Sequence, residues 1–359
     1  MAESISSKKS GWHVEILSIQ SEQSYNAFMN KVVTSHLSHT LLWRDVLLQM
    51  KCGEPVYWLA FQDGELLGVL PSFVLRNQRG SVLNSLPFFQ STGGVVAFPE
   101  LDPDTHIELT SRLLQAMLEW CSSHEINSAT VIGSPFHNNT TVVSSQITPD
   151  YLGKRTVRVI DLTGPLDFRQ SVVWTINKAA KCNMKIQYAS TLPEAKLVYD
   201  IYRENMIRID VEPTGWTFFE HLFRLTSDEG ISRFIWAEYK NEPVASMVLL
   251  WYRGIVDYYA IGSTDVGREI QANTWLCSTQ IKAAQDDGFT WWNWMASPTE
   301  QVYNYKKRYG GTDRTYPIMT WVFKDISTWK HLSPDEIAKL FPGYYVIPYH
   351  ILHQETNND

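Results

Sequence analysis

The sequence has no CxxC pair, and its four cysteines, Cys52, Cys121, Cys182 and Cys277, stand far apart. That spacing offers no framework for structural zinc, a thiol redox motif or a disulfide-stapled fold. No uninterrupted apolar run reaches the roughly 18 residues of a membrane-spanning helix, so stable membrane insertion is not expected. Sustained heptads and low-complexity tracts are missing as well, which excludes a long coiled-coil arm. The opening MAESISSKKSGWH lacks the apolar core of a secretory signal. The default compartment is therefore the cytoplasm, and Asn138 and Asn139, which begin overlapping glycosylation sequons, are expected to be ordinary loop residues. Positive charge is not in excess: 31 Lys+Arg face 38 Asp+Glu, giving a net charge of -7 and a pI near 5.8. This balance speaks against a polybasic membrane protein or a binder of duplex DNA, while leaving room for a local phosphate pocket. His36 and His39 lie close together, but no matching Cys, His or acid completes a metal site, and none is expected. They read as ordinary loop residues or as part of a substrate-binding first half.

What is present is a chain of 359 residues with 44% hydrophobic content, enough for two packed domains. The pattern places one domain at 12–165, a second at 166–335 and a tail at 336–359 packing on them. In the first, Val56–Gln62 and Glu65–Phe73 flank Asp63-Gly64, the strongest hairpin signal. His106–His124 follows as a helix with Leu109, Leu113, Leu114, Met117 and Cys121 on one face. In the second, helices are expected at Asp167–Asn183, Pro193–Ile207, Thr217–Leu225 and Glu269–Asp287. Strands are expected at Ile231–Tyr239, Pro243–Tyr252, Ile255–Gly262, Phe289–Met295 and Tyr316–Phe323. The helix between two late strands implies a parallel crossover in an otherwise largely antiparallel sheet. The fold class is α/β of the mixed-sheet, α+β kind, with a weaker version of the same element order in the first half.

Three passages, VVWTINKAAKCNMKI at 172–186, YYAIGSTDVGREIQANTWLCSTQIKAAQDDGFTWWNWM at 258–295 and VYNYKKRYGGT at 302–312, resemble the Fem-related, BioF2-like branch of the GNAT acyltransferase superfamily, with a looser match at LPFFQSTGG, 86–94. The resemblance covers most of residues 12–325. It implies tandem GNAT-like domains packed around a shared cleft, with the acceptor on the N-terminal side and the donor on the C-terminal side. The implied reaction moves an activated acyl or aminoacyl group to the amine of a small molecule or peptide. The donor is aminoacyl-tRNA or acyl-CoA, used as a co-substrate with no tightly bound cofactor. A non-catalytic RNA- or nucleotide-binding module is the reading from a different class. The chain has no segment for the helical-hairpin arm found in some Fem proteins.

The candidate site residues follow from the residues and the resemblance together. Asn304–Gly311 reads as a cationic loop with two permissive glycines. Lys306 lies nearest the basic position of the family's FKxxFGG-like pattern, where it would hold a terminal phosphate or stabilise charge developing in acyl transfer. Lys307 and Arg308 suit donor phosphates; a solvated cluster is the bland alternative. Gly267, Arg268 and Glu269 occupy the junction before the long helix, where backbone N–H groups favour an anion, although Gly267 stands alone where acetyl-CoA binders carry spaced glycines. Lys178 is a further donor candidate from the stripe Lys178, Lys181 and Lys185, otherwise a solvated helix face with Trp174 in the core. Trp291, Trp292 and Trp294 read either as core or as a ring-lined pocket, with Asn293 the polar exception orienting donor or acceptor. Asp257 is a candidate proton acceptor for the attacking amine, as are Asp210 and Glu212 in the loop after Ile207. No cysteine or serine has a nucleophile constellation around it, so direct transfer is expected.

Overall fold

The computed structural model describes residues 11–87, 92–137, 147–297, 299–324 and 326–347. Asn138, Asn139, the Phe88–Ser91 part of the LPFFQSTGG passage and residues 348–359 of the expected tail lie outside the described residues. The chain divides into two compact units, one from the residues up to 32, 52–153 and those from 316 on, the other from 33–51 and 154–315.

In the first unit the hairpin signal at Asp63-Gly64 is realised. Trp58–Gln62 pairs antiparallel with Glu65–Leu70, Gln62 opposite Glu65, across a turn whose two residues have φ of 52° and 88°, the left-handed pair that a tight hairpin requires. Asp102 caps the helix Pro103–Ser123 by accepting from the Thr105 N–H at 3.0 Å. Leu109, Leu113, Met117 and Cys121 on its inner face are fully buried in one core with Trp58, Leu70 and Leu83. The helix joins Gly80–Asn84 to Ser128–Ile132, and these two strands pair in parallel. The helix Pro334–Leu340 follows, and Ile337 and Phe341 pack on Trp329.

The second unit repeats this plan more fully. Ser232–Tyr239, Glu242–Tyr252 and Ile255–Ser263 run antiparallel in succession, and Lys185–Tyr188 adds an edge. The turn between the first two uses Lys240 and Asn241 at φ 53° and 64°. The expected parallel crossover is present: Ile255–Ser263 pairs in parallel with Trp291–Asn293, and the connection carries the helix Ala272–Asp286. The helix Gln170–Ala180 packs on that helix through Val172 and Ala179.

Two elements differ from the expectation. The single helix at Glu269–Asp287 is two, Asp265–Glu269 and Ala272–Asp286, separated by Gln271 at φ 63°. A left-handed residue stops the i to i−4 ladder and lets the chain turn before it resumes. The cationic loop is in large part a helix, Glu300–Lys307, capped by Thr299, whose hydroxyl accepts from the Val302 N–H at 3.3 Å. Glu300 in its first turn and Lys306 and Lys307 in its last suit the helix dipole.

Candidate functional site

The site lies in the second unit, where the parallel pair comes apart. Its last matched residues are Asp257 and Asn293. Beyond them Ile255–Ser263 runs on, while the other chain turns away as Trp294 donates its N–H to the Arg158 carbonyl at 3.0 Å. Strand alternation sends Trp292 and Trp294 to one face, where both are fully buried among Tyr258, Cys277 and Tyr309. They build core rather than a ring-lined substrate pocket. Asn293, on the other side, is buried too. Its Nδ2 donates to Asp257 Oδ1 at 2.8 Å and contacts the Met295 sulfur at 3.1 Å.

Asp257 is therefore a held carboxylate at 4% exposure, with His36 Nδ1 3.0 Å from its Oδ2. His36, which the sequence suggests is an ordinary loop residue or part of a substrate-binding first half, is thus the partner of a buried carboxylate. It is set by a short helical turn, Leu37–His39, in which its backbone N–H donates to His39 Nδ1 at 3.2 Å. The other candidate acceptors of a proton, Asp210 and Glu212, are exposed.

Lys306 leaves its two cationic neighbours. It projects from the inner face of the helix Glu300–Lys307 and is 4% exposed, with Nζ donating to the Ala296 carbonyl at 2.8 Å and the Met295 carbonyl at 3.3 Å. Burial pushes its pKa down to about 7, an effect that the nearby Cys277 opposes. Met295 holds this contact in a left-handed conformation, φ 57°, which costs a bulky residue about 1 kcal/mol or more and is retained where the surroundings fix it. Met295 thus connects Asn293, through its sulfur, with Lys306, through its carbonyl. Lys307 lies over the Tyr303 ring and Arg308 over the Tyr305 ring, both half-buried. Gly310 and Gly311, at φ 80° and 77°, allow the backbone to close on its neighbours: an added Cβ would lie 2.3 Å from the Asp167 carbonyl and 2.1 Å from that of Val159. Arg158 caps both glycine carbonyls, at 2.7 and 2.6 Å.

A cavity of about 380 Å³ opens beside this lysine helix, lined by Ile261 and Ser263 at the strand end, Gly267 and Arg268 in the turn, Gln271, Asn273 and Thr274 at the helix start, and Tyr305. Gly267 is obligatory in packing terms, since a Cβ there would meet the Val244 carbonyl at 1.9 Å. The helix Ala272–Asp286 starts with no side-chain cap, which leaves first-turn N–H groups for an anion. The Asn273 side-chain amide oxygen, Oδ1, is buried with no hydrogen-bond partner. Arg268 spends its guanidinium locally, donating to the Ser263 carbonyl and to Asp265. Tyr305 is bonded to Tyr309 at 2.8 Å, and burial raises its pKa.

The structure thus brings Gly267 and Arg268 onto the cavity that Tyr305 of the lysine helix also lines, leaves Lys306 itself outside the lining, and joins Asp257 to Asn293. Glu269 is exposed at the end of the short helix, and it, Lys307 and Arg308 are not among the cavity's lining residues. Lys178 is exposed on the helix Gln170–Ala180, stacked on Trp174 at 5.5 Å. Trp174 is not in the core: it is 64% exposed, because the helix turns Val172 and Ala179 inward. Tyr305, Asn273 and Thr274 gain their place from the cavity.

Residues 168–307 match the family profile described as an acetyltransferase (GNAT) domain. No curated protein matches the chain by sequence. Among solved structures the chain is similar to FemX, at 12% identity over 84% of this chain and 96% of that one, with a TM-score of 0.64. It is also similar to the C-terminal domain (DUF2156) of a putative lysylphosphatidylglycerol synthetase from Agrobacterium fabrum, at 12% identity over 90% and 99% of the two chains and a TM-score of 0.56. A tandem GNAT protein from the clavulanic acid biosynthesis pathway follows, at 8% identity over 88% and 99% and a TM-score of 0.51. The chain shares the fold of these proteins, and the profile match falls within its second unit.

Proposed function

We propose that this protein is an N-acyltransferase that forms an amide by moving an aminoacyl group from aminoacyl-tRNA to the amine of a small molecule or peptide. The observation that carries the reading is a buried lysine with a pKa of about 7 whose Nζ donates to two carbonyls, on a helix whose preceding residue, Tyr305, lines a 380 Å³ cavity. An ammonium has three donors. Two go to Met295 and Ala296, and in this reading the third meets an oxygen that gains charge as the acyl carbon becomes tetrahedral. The neutral amine nitrogen forms the new C–N bond, the C–O bond to the tRNA ribose breaks, and the amine's surplus proton leaves with the ribose hydroxyl. Held geometry and one preorganised donor suffice for an activated ester. Gly267, Arg268 and the first turn of Ala272–Asp286 seat the anionic end of the donor in this reading, while Asp257 and Asn293 fix the wall of the site through Met295. Lys307, Arg308 and Lys178 are assigned to the donor's phosphates outside the cavity, and Glu269 has no role the geometry supports.

The second reading, an acyl-CoA donor with C–S cleavage, is favoured by the acetyltransferase profile over 168–307 and by the suitability of the uncapped helix start for a pyrophosphate. One experiment separates them. Purified protein is offered charged tRNAs and a panel of acyl-CoAs with mixed amines, and product mass is recorded with and without ribonuclease. Product that depends on intact charged tRNA is expected. Product that survives the ribonuclease and needs acyl-CoA moves the assignment to the second reading, and binding without product from any donor leaves a non-catalytic module.

A further inference from the structure

Between Asp167 and Glu194 the chain carries Arg169, Lys178, Lys181 and Lys185 and no acidic residue, in a protein whose net charge is -7. All four cations are exposed. Trp174, Lys178 and Lys181 fall at i, i+4 and i+7, which is one stripe of a helix. The face opposite is committed to the core through Val172, Ile176 and Ala179. A 64% exposed indole on a solvated helix has no packing purpose, and here Lys178 lies over its ring at 5.5 Å. At the start of this helix the Arg169 N–H donates to the Arg308 carbonyl at 2.9 Å, which sets the backbone at Arg169 against the end of the helix that inserts Lys306.

We infer that the outer face of Gln170–Ala180, with Trp174 as a stacking platform and Lys178 and Lys181 as phosphate contacts, binds single-stranded RNA and leads it by way of Arg169 and Arg308 toward the lysine helix. A free base stacks on an aromatic ring in a sequence-tolerant way, whereas a paired base has no open face to offer. A membrane surface is the poorer fit. An interfacial helix turns a broad apolar face outward, and this one shows a single large apolar side chain there. The inference rests on the RNA-borne donor for its purpose but is tested without transfer.

A short fluorescein-labelled single-stranded RNA is titrated with the full chain, reading anisotropy across a salt series, and anionic phosphatidylglycerol vesicles are offered separately in a flotation assay. Trp174→Ala is expected to weaken RNA binding about tenfold. The double variant Lys178→Gln, Lys181→Gln is expected to lower the log–log salt slope by about 1.4, two phosphate contacts at about 0.7 each. Both variants are surface changes, and unaltered thermal melts verify their folding. Absence of RNA binding, binding indifferent to both variants, or vesicle binding in place of RNA binding overturns the inference. RNA binding that depends on these residues while no transfer occurs from aminoacyl-tRNA upholds the surface and rejects only the donor assignment.

Discussion

Lys306 concentrates the chemistry and the cost of this site. In the triplet Lys306, Lys307, Arg308 the sequence offers three cations to a ligand; the helix separates them, because successive side chains point about 100° apart. Only Lys306 is buried, with a pKa lowered to about 7 by desolvation. Below about 7 it is charged in both folded and unfolded chain, and the full cost of its burial opposes folding. Between about 7 and its ordinary 10.5 the unfolded chain holds a proton that the folded one has released, so stability rises with pH. Lys306→Met is therefore expected to be the more stable protein near pH 7, and to lose that advantage by about 1.4 kcal/mol per pH unit up to about pH 9. Urea melts of both proteins measure this, and a constant gap sinks the titration. Activity runs the other way. With an acceptor amine that stays neutral throughout, kcat/KM should fall as pH rises through about 7, and Lys306→Arg should flatten the fall. A rate that instead climbs through about 7 assigns Lys306 the part of base.

At the scale of elements, long periodic segments were legible and special backbone positions were not. The helix expected at His106–His124 is present as Pro103–Ser123, and the Asp63-Gly64 hairpin follows from turn chemistry. The break at Gln271 and the left-handed Met295 leave no mark in composition, since neither residue type announces a positive φ. The glycine pair is legible as a place where another segment or a phosphate can come close, and what meets there is backbone: Gly310 and Gly311 let two backbone segments approach, with Arg158 on their carbonyls. Gly311→Ala combines a φ of 77° with a Cβ at 2.1 Å from the Val159 carbonyl and is expected to cost roughly 3 kcal/mol. Chemical denaturation reads this directly, and a loss below about 1 kcal/mol shows that the turn relaxes.

For the whole molecule the least legible feature is residues 33–51, which join the second unit from far up the chain. Trp43 from this segment packs edge-on to Phe218 and Tyr259, and His36 reaches Asp257 across 221 positions of sequence. His36→Ala removes a hydrogen bond to a buried carboxylate, worth about 2 kcal/mol. Hydrogen exchange should then quicken in 36–49 before the rest of the unit. Unchanged protection there shows that Trp43 alone anchors the segment. The sequence by itself determined the mixed α/β architecture, the late parallel crossover and the segments that carry the GNAT resemblance, because periodicity and turn chemistry act between near neighbours. Only the tertiary structure decided that Lys306 goes inside while Trp174 stays out, that His36 meets Asp257, and that Tyr305 and Asn273 share a cavity with Gly267. Those outcomes depend on which surfaces the packed elements bury, and burial is a property of residues distant in sequence.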